Sequence, residues 1–476
     1  MGARIPKFST GLESLDHLTE GGLPAGRATL VVGAPGAGKT VVALQIAVAA
    51  ARRGVPGIFV TLEEGEDEIR ANAASFTWDP SDITGRNLMF YDGRASIEAM
   101  VTGDFDLDGL IAGLGALGES GSAQCVVLDG LDQLLGNLPD LPRRRAEMYR
   151  LLQTLSRSNL TTIITAKGDD DGNIVSSGEA FMQFAAQCVV ALRRRTTTGA
   201  MVRTLQVLKY RGSSFGGSEV PYIIDEDGVV PALVGRSNLE HHLSRERVPT
   251  GVADLDAILE GGYIRGSAAV ISGAPGTAKT TLGASFARAA AARGERALYV
   301  AFDESYGQVV LDMQSLGLHL DAAEVAPNIT GLSLSALGVT AEEHYIAIRR
   351  TLERAQPDVV VIDPVSALFK GYESARARGV AERLVDMVKS RGITTVLTSL
   401  VEPDSDFSAS SISTLADAWL SLNYVVVGNR RGRALSVIKA RGTQHAHEVF
   451  NLGLSRAGMR LSPMAEGSPE SGLGHG

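Results

Sequence analysis

The sequence predicts an α/β protein built twice: two tandem domains, each a mostly parallel twisted sheet flanked by helices. Three observations carry that expectation. The chain has 476 residues, more than one ordinary core accommodates. A stretch starting at Phe8, FSTGLESLDHLTEGGLPAGRATLVVGAPGAGKT, returns at Val248 as VPTGVADLDAILEGGYIRGSAAVISGAPGTAKT, an offset of 240. Short apolar runs alternate with stretches of helical length, the pattern of parallel strands joined by crossover helices.

In the first copy, ATLVVG reads as a buried strand running into a glycine loop. TVVALQIAVAAARRG follows as an alanine-rich helix with Gly54 as its stop. GIFVTLEE, CVVLDG and TTIITAK are further strand runs. Later landmarks drift slightly: Asp129 aligns with Asp363 at an offset of 234, and Lys209 with Lys439 at 230. Short deletions in surface loops account for the drift. The expected organisation is a first domain over 1–235, a polar linker over 236–247, a second domain over 248–461, and a disordered Gly/Ser/Pro-rich tail over 462–476.

Composition narrows the function classes. Hydrophobic residues make up 44% and charged residues 21% of the chain, as in a soluble globular protein. The net charge of -9 lacks the basic surplus of a protein that lives on nucleic acid, so no nucleic-acid partner is expected. Cys125 and Cys188 lie in apolar runs and are too few for a disulfide framework or a four-cysteine zinc site, which points to a reducing cytoplasm. The N-terminus lacks the apolar segment of a signal peptide, and no run approaches a membrane span.

GAPGAGKT at 33–40 fits the phosphate-binding pattern G-x-x-x-x-G-K-[ST] in full. Gly33, Gly36 and Gly38 let the backbone wrap phosphates, Lys39 reaches them, and the Thr40 hydroxyl is placed for Mg²⁺. In the second copy Gly273, Gly276, Thr277, Ala278, Lys279, Thr280 and Thr281 occupy the same stretch, with Ala278 where the last glycine belongs. Alanine costs on the order of 1 kcal/mol if that φ is positive and little if it is helical. The loop is read as functional, binding ATP with Mg²⁺. Asp129 and Asp363 close apolar strands at the position that orients Mg²⁺ through water.

Glu63 and Glu64, and their counterparts Asp303 and Glu304, end the second strand of each copy. A carboxylate there can take a proton from an attacking water or hydroxyl. The same residues would also suit a helix N-terminus, and the chemistry alone does not separate the two roles. Late in each copy, KYRG and KARG place Lys209 with Arg211 and Lys439 with Arg441 on one strand face. They are either a solvated basic edge or cations supplied in trans to a neighbour's γ-phosphate.

The tandem STG…LD…EGG…GAPGxxKT halves, the paired acids after the second strand and the late K-x-R-G resemble the KaiC family of circadian-clock ATPases and autokinases, with RecA-like P-loop domains, over roughly residues 5–460. The resemblance implies a homohexamer of two stacked rings with ATP between subunits. It implies ATP hydrolysis in the first ring, and in the second Ser/Thr autophosphorylation and dephosphorylation across the subunit interface. The acceptors it implies are Ser413 and Thr414 of SISTLADAW, with Ser408 and Ser410 nearby; the matching AFMQFAAQC of the first half has no hydroxyl. A KaiB-like protein and a downstream signalling partner are the implied partners. The chain departs from the family pattern at Asp303, shorter by a methylene, and at Lys370, where the family has arginine. The tail lacks the family's C-terminal peptide, so dependence on KaiA is not expected. Two other readings stay open: an ATP-bound signalling scaffold without kinase activity, and a RecA/RadA-like DNA-binding ATPase, which the acidic charge and the missing zinc-ribbon cysteines disfavour.

Overall fold

A computed structural model describes residues 5–94, 107–174, 180–197, 200–232, 244–335, 339–369, 374–400, 416–427, 430–444, 448–456 and 458–464. The chain divides into two compact units, Met1–Gly235 and Arg236–Gly476. Each contains a nine-stranded sheet among the described residues.

In the first unit the central strand is Ala28–Gly33, all six residues buried. On one side Thr161–Lys167, Cys125–Asp129, Gly57–Thr61 and Leu88–Asp92 follow in parallel. On the other side Cys188–Thr197 pairs in parallel, and Ala200–Tyr210, Val220–Asp225 and Gly228–Pro231 continue antiparallel. Crossover helices such as Lys39–Arg52 and Leu141–Arg157 bury both faces of the parallel part, so its strands read as unbroken apolar runs. The outer strand Leu88–Asp92 alternates buried and exposed residues instead. Two apolar clusters form on the sheet, one including Leu44, Phe59 and Ile69, the other Leu128, Met148 and Leu151.

The second unit repeats this order. Ala268–Gly273 is central, Thr394–Leu400, Val359–Asp363, Ala297–Phe302 and Ile329–Leu334 follow on one side, and Ala418–Val427, Arg430–Ala440, Val449–Ser455 and Gly458–Pro463 on the other. The expected fold, tandem RecA-like α/β domains, is the one observed. Two expected boundaries move. Arg247, placed in the linker, pairs with Ile264. The last strand runs two residues into the expected tail, because Ser462 and Pro463 pair with Asn451 and Phe450. The rest of the tail from 465, residues 236–243, Lys370, Ser408, Ser410, Ser413 and Thr414 lie outside the described residues. Among the described residues no helix is long and apolar enough to cross a membrane.

Candidate functional site

Each central strand ends in a glycine that its neighbour forces. A Cβ on Gly33 would meet the Leu192 carbonyl at 2.4 Å, and one on Gly273 the Leu422 carbonyl at 2.4 Å. The chain then loops into a helix, Lys39–Arg52 or Lys279–Ala292. The residue before the helix is left-handed in both halves: Gly38 at φ 88° and Ala278 at φ 84°. The second loop therefore holds its alanine in the costly conformation, the strained branch of the sequence expectation, at about 1 kcal/mol. Gly36 and Gly276 also have positive φ, 76° and 77°.

The loop lysines fold back onto their own backbone. Lys39 Nζ donates to the Ala34 carbonyl at 3.2 Å. Lys279 Nζ donates to the Gly273 and Ala274 carbonyls at 2.9 and 2.8 Å. Burial lowers the pKa of Lys39, opposed first by Glu63 and then by Asp132 and Asp129. Burial lowers Lys279 to about 8, opposed by Asp363. A phosphate arriving at either loop supplies an anion that favours the charged form of the lysine.

The carboxylates at the ends of the fourth parallel strands differ more. Asp129 accepts from Thr40 Oγ1 at 3.0 Å and from Thr165 Oγ1 at 2.6 Å. Burial raises its pKa to about 6. Asp363 accepts from the Tyr299 hydroxyl at 2.7 Å and from Thr398, and carries no bond from Thr280. Thr40 and Asp129 thus bring hard oxygen donors together, a set that fits Mg²⁺. Thr280 and Asp363 offer the same atom types with the carboxylate held by other donors. Thr281 is buried, 5% exposed, in the first turn of its helix.

Glu63 lies against the strand end: a Cβ on Gly130 would come within 3.5 Å of Glu63 Oε2. Glu64 is tied to the next helix, accepting from Asn72 Nδ2 at 3.2 Å. The helix N-terminus is served by other residues: Gly65 is its cap and Glu68 reaches back to the Gly65 amide. In the second half Ser305 caps the helix, accepting from the Gln308 amide at 3.1 Å. Neither carboxylate pair is needed as a cap. Asp303 has φ 67°, left-handed, which aspartate tolerates better than glutamate. The pKa of Glu304 is raised, by burial first and then by Asp312, Asp363 and Asp303.

The late cations do not meet the phosphate loop of their own domain. Lys209 pairs with Val189, which pairs with Leu30, three residues before Gly33. Lys439 pairs with Trp419, which pairs with Val270, three residues before Gly273. Both lie about 10 Å down the strand, toward the opposite end of the strands from the loop. There Lys209 Nζ donates to the carbonyls of Gln183, Phe184 and Ala186 at 2.8, 2.9 and 2.6 Å. Arg211 adds a bond to Phe184 O at 3.1 Å. Lys439 Nζ donates to Ala416 O at 2.6 Å, and Arg441 stands 4.0 Å from Asp417.

Several residues near the loops were not foreseen. Arg194 Nη1 bonds Pro35 O at 2.9 Å, and Tyr222 OH bonds Ala37 O at 2.5 Å. In the second half Tyr424 OH bonds Pro275 O at 3.2 Å and Arg433 Nε bonds Gly276 O at 2.9 Å, while Thr277, expected in the loop, closes its Oγ1 on Ala274 O at 2.8 Å. Asp132 shares the field of Lys39 and Glu63. The repeat held a signal for one pair: Thr165 and Thr398 sit at the same place in TTIITAK and TTVLTSL.

The family model described as ATPase: KaiC matches residues 8–232 and 248–466. The chain belongs to the KaiC family of ATPases. It is 34% identical to the circadian clock protein KaiC2 of Synechocystis sp., over 96% of this chain and 81% of that protein. It is 30% identical to KaiC3 of the same organism, over 96% and 92% of the two chains. It is 31% identical to the circadian clock oscillator protein KaiC of Parathermosynechococcus lividus, over 96% and 85%. Both phosphate loops fall inside the matched regions, and ATP binding comes with the family.

Proposed function

We propose that this chain is a cytoplasmic, ring-forming ATPase of circadian or signalling timing whose first half hydrolyses ATP slowly and whose second half phosphorylates Ser413 and Thr414. Two phosphate loops that both keep the lysine and the threonine carry this reading, together with hydroxyl acceptors in one half only. In the first half Lys39 and the loop amides bind the phosphates, Thr40 and Asp129 would hold Mg²⁺, and Glu63 takes the proton of the attacking water. Bound Mg²⁺ would neutralise phosphate charge. In the second half Lys279 binds the phosphates, Thr280 and Asp363 would hold the metal, and Asp303 or Glu304 accepts the hydroxyl proton.

The position of the late cations supports a homohexamer. Lys209, Arg211, Lys439 and Arg441 stand away from their own loops, and a neighbouring copy is the natural recipient. Lys439 also holds Ala416 O, two residues past Thr414, which ties the cation to the acceptor segment. A KaiB-like protein and a downstream signalling protein fit this reading as partners, with no nucleic acid and no membrane surface.

Incubation with Mg-ATP followed by site-resolved mass spectrometry tests it. Wild-type protein gains phosphate within residues 408–414. Lys279→Ala loses it and keeps first-half hydrolysis. If wild-type protein carries no phosphate in that segment, an ATP-bound scaffold without kinase activity replaces the autokinase.

A further inference from the structure

The two halves present different side chains to the carboxylate at the end of the fourth parallel strand. Tyr299, on the second strand of the second half, is wholly buried, and its hydroxyl donates to Oδ2 of Asp363 at 2.7 Å. Thr398 donates to Oδ1. Both carboxylate oxygens are therefore engaged by neutral donors. The offset of 240 places Phe59, with no hydroxyl, at the same position in the first half. There Asp129 accepts from Thr165 and from Thr40, the residue assigned to the metal.

Room for the phenol is built in. Gly283 faces it from the helix Lys279–Ala292: a Cβ there would lie 2.9 Å from Val361 Cγ1 and 4.0 Å from the Tyr299 hydroxyl. The offset of 240 sets Ala43 against Gly283. The Tyr299 ring also packs against Tyr306 at 5.7 Å between centroids, so the hydroxyl has little freedom to turn away.

We infer that Tyr299 is a positioning residue that weakens magnesium binding at the second nucleotide site by occupying the Asp363 oxygen whose counterpart on Asp129 meets Thr40, the residue assigned to the metal. The inference rests on the reading of 273–281 as a live nucleotide loop with Asp363 beside its metal. A carboxylate that accepts a buried hydroxyl shares its lone pairs and is fixed in orientation, so it is a poorer acceptor for a metal's water shell. The second half then needs more Mg²⁺ than the first to load ATP.

The test replaces Tyr299 with the residue the first half uses. In a Lys39→Ala background, so that the second loop alone reports, Tyr299→Phe is compared with its parent. Magnesium is titrated at fixed N-methylanthraniloyl-ATP, and nucleotide fluorescence and the second-half melting temperature are followed. Tyr299→Phe lowers the half-saturating Mg²⁺ about 3- to 10-fold and leaves metal-free nucleotide affinity unchanged. Thr398→Val, which removes the other donor, moves it the same way and serves as the second variant. An unchanged or higher half-saturation in both folded variants overturns the inference and leaves the nucleotide site standing. If the parent binds no nucleotide at any magnesium concentration, the site reading falls and takes the inference with it.

Discussion

The two phosphate loops lie on sheets of the same strand order, yet they treat their charges differently. In the first half Gly38 takes the left-handed position without strain, and Thr40 meets Asp129 directly. In the second, Ala278 takes it at a cost, Lys279 makes two backbone bonds instead of one, and Asp363 is held by Tyr299 and Thr398. Duplicating a fold preserves register and core, while single hydroxyls and methyls decide what each copy's carboxylate and lysine are free to bind.

The largest test of that contrast is at the second-strand carboxylates. Glu63 faces the strand end and Glu64 is tied to Asn72. Glu63→Gln is expected to slow first-half phosphate release about 100-fold while ATP stays bound, and Glu64→Gln less than about 10-fold. Equal losses in the two variants would erase the distinction between them.

The second test uses acid. His344 is 2% exposed, its two ring nitrogens have no hydrogen-bond partner among the described residues, and its ring meets Phe302 edge-on at 5.1 Å. Burial pushes its pKa down to about 4, opposed by Glu343. The offset of 234 sets Leu110 at this place in the first half. The folded state favours the neutral ring, so stability is full above the ordinary histidine pKa near 6.5. It is lost as pH falls toward 4, by up to about 3 kcal/mol. His344→Leu should flatten the acid slope of the second-half melting transition; parallel slopes in variant and wild type would show that another group controls it.

The smallest effect is at Ala278. Ala278→Gly relieves a left-handed alanine and is expected to stabilise the second half by about 1 kcal/mol, read by denaturant unfolding. A destabilised variant would mean that the packing of the alanine methyl outweighs its strain.

Much of this was legible in the sequence. The repeat, the buried strand runs and the phosphate loops follow from local periodicity and glycine placement, and Gly54 ends its helix as expected, with φ 82°. What stayed hidden depends on contacts between strands far apart in the chain. Nothing in ALYVAFDE says that Tyr299 will reach Asp363, 64 residues away. Nothing near KYRG says that strand register carries Lys209 away from the loop. The sign of φ at Ala278 was a question that only the backbone could answer.

That register has a consequence for how the molecule counts itself. Within each domain the lysine of the late motif lies three residues down the central strands from the phosphate loop, toward their other end. If a neighbour's lysine completes each pocket, a finished site is a property of a pair, and its abundance follows the second power of concentration at high dilution. Dilution then acts as an inhibitor without any ligand. A chain damaged only at its loop and a chain damaged only at its late lysine restore one intact pocket when mixed, though neither holds one in a ring of its own kind.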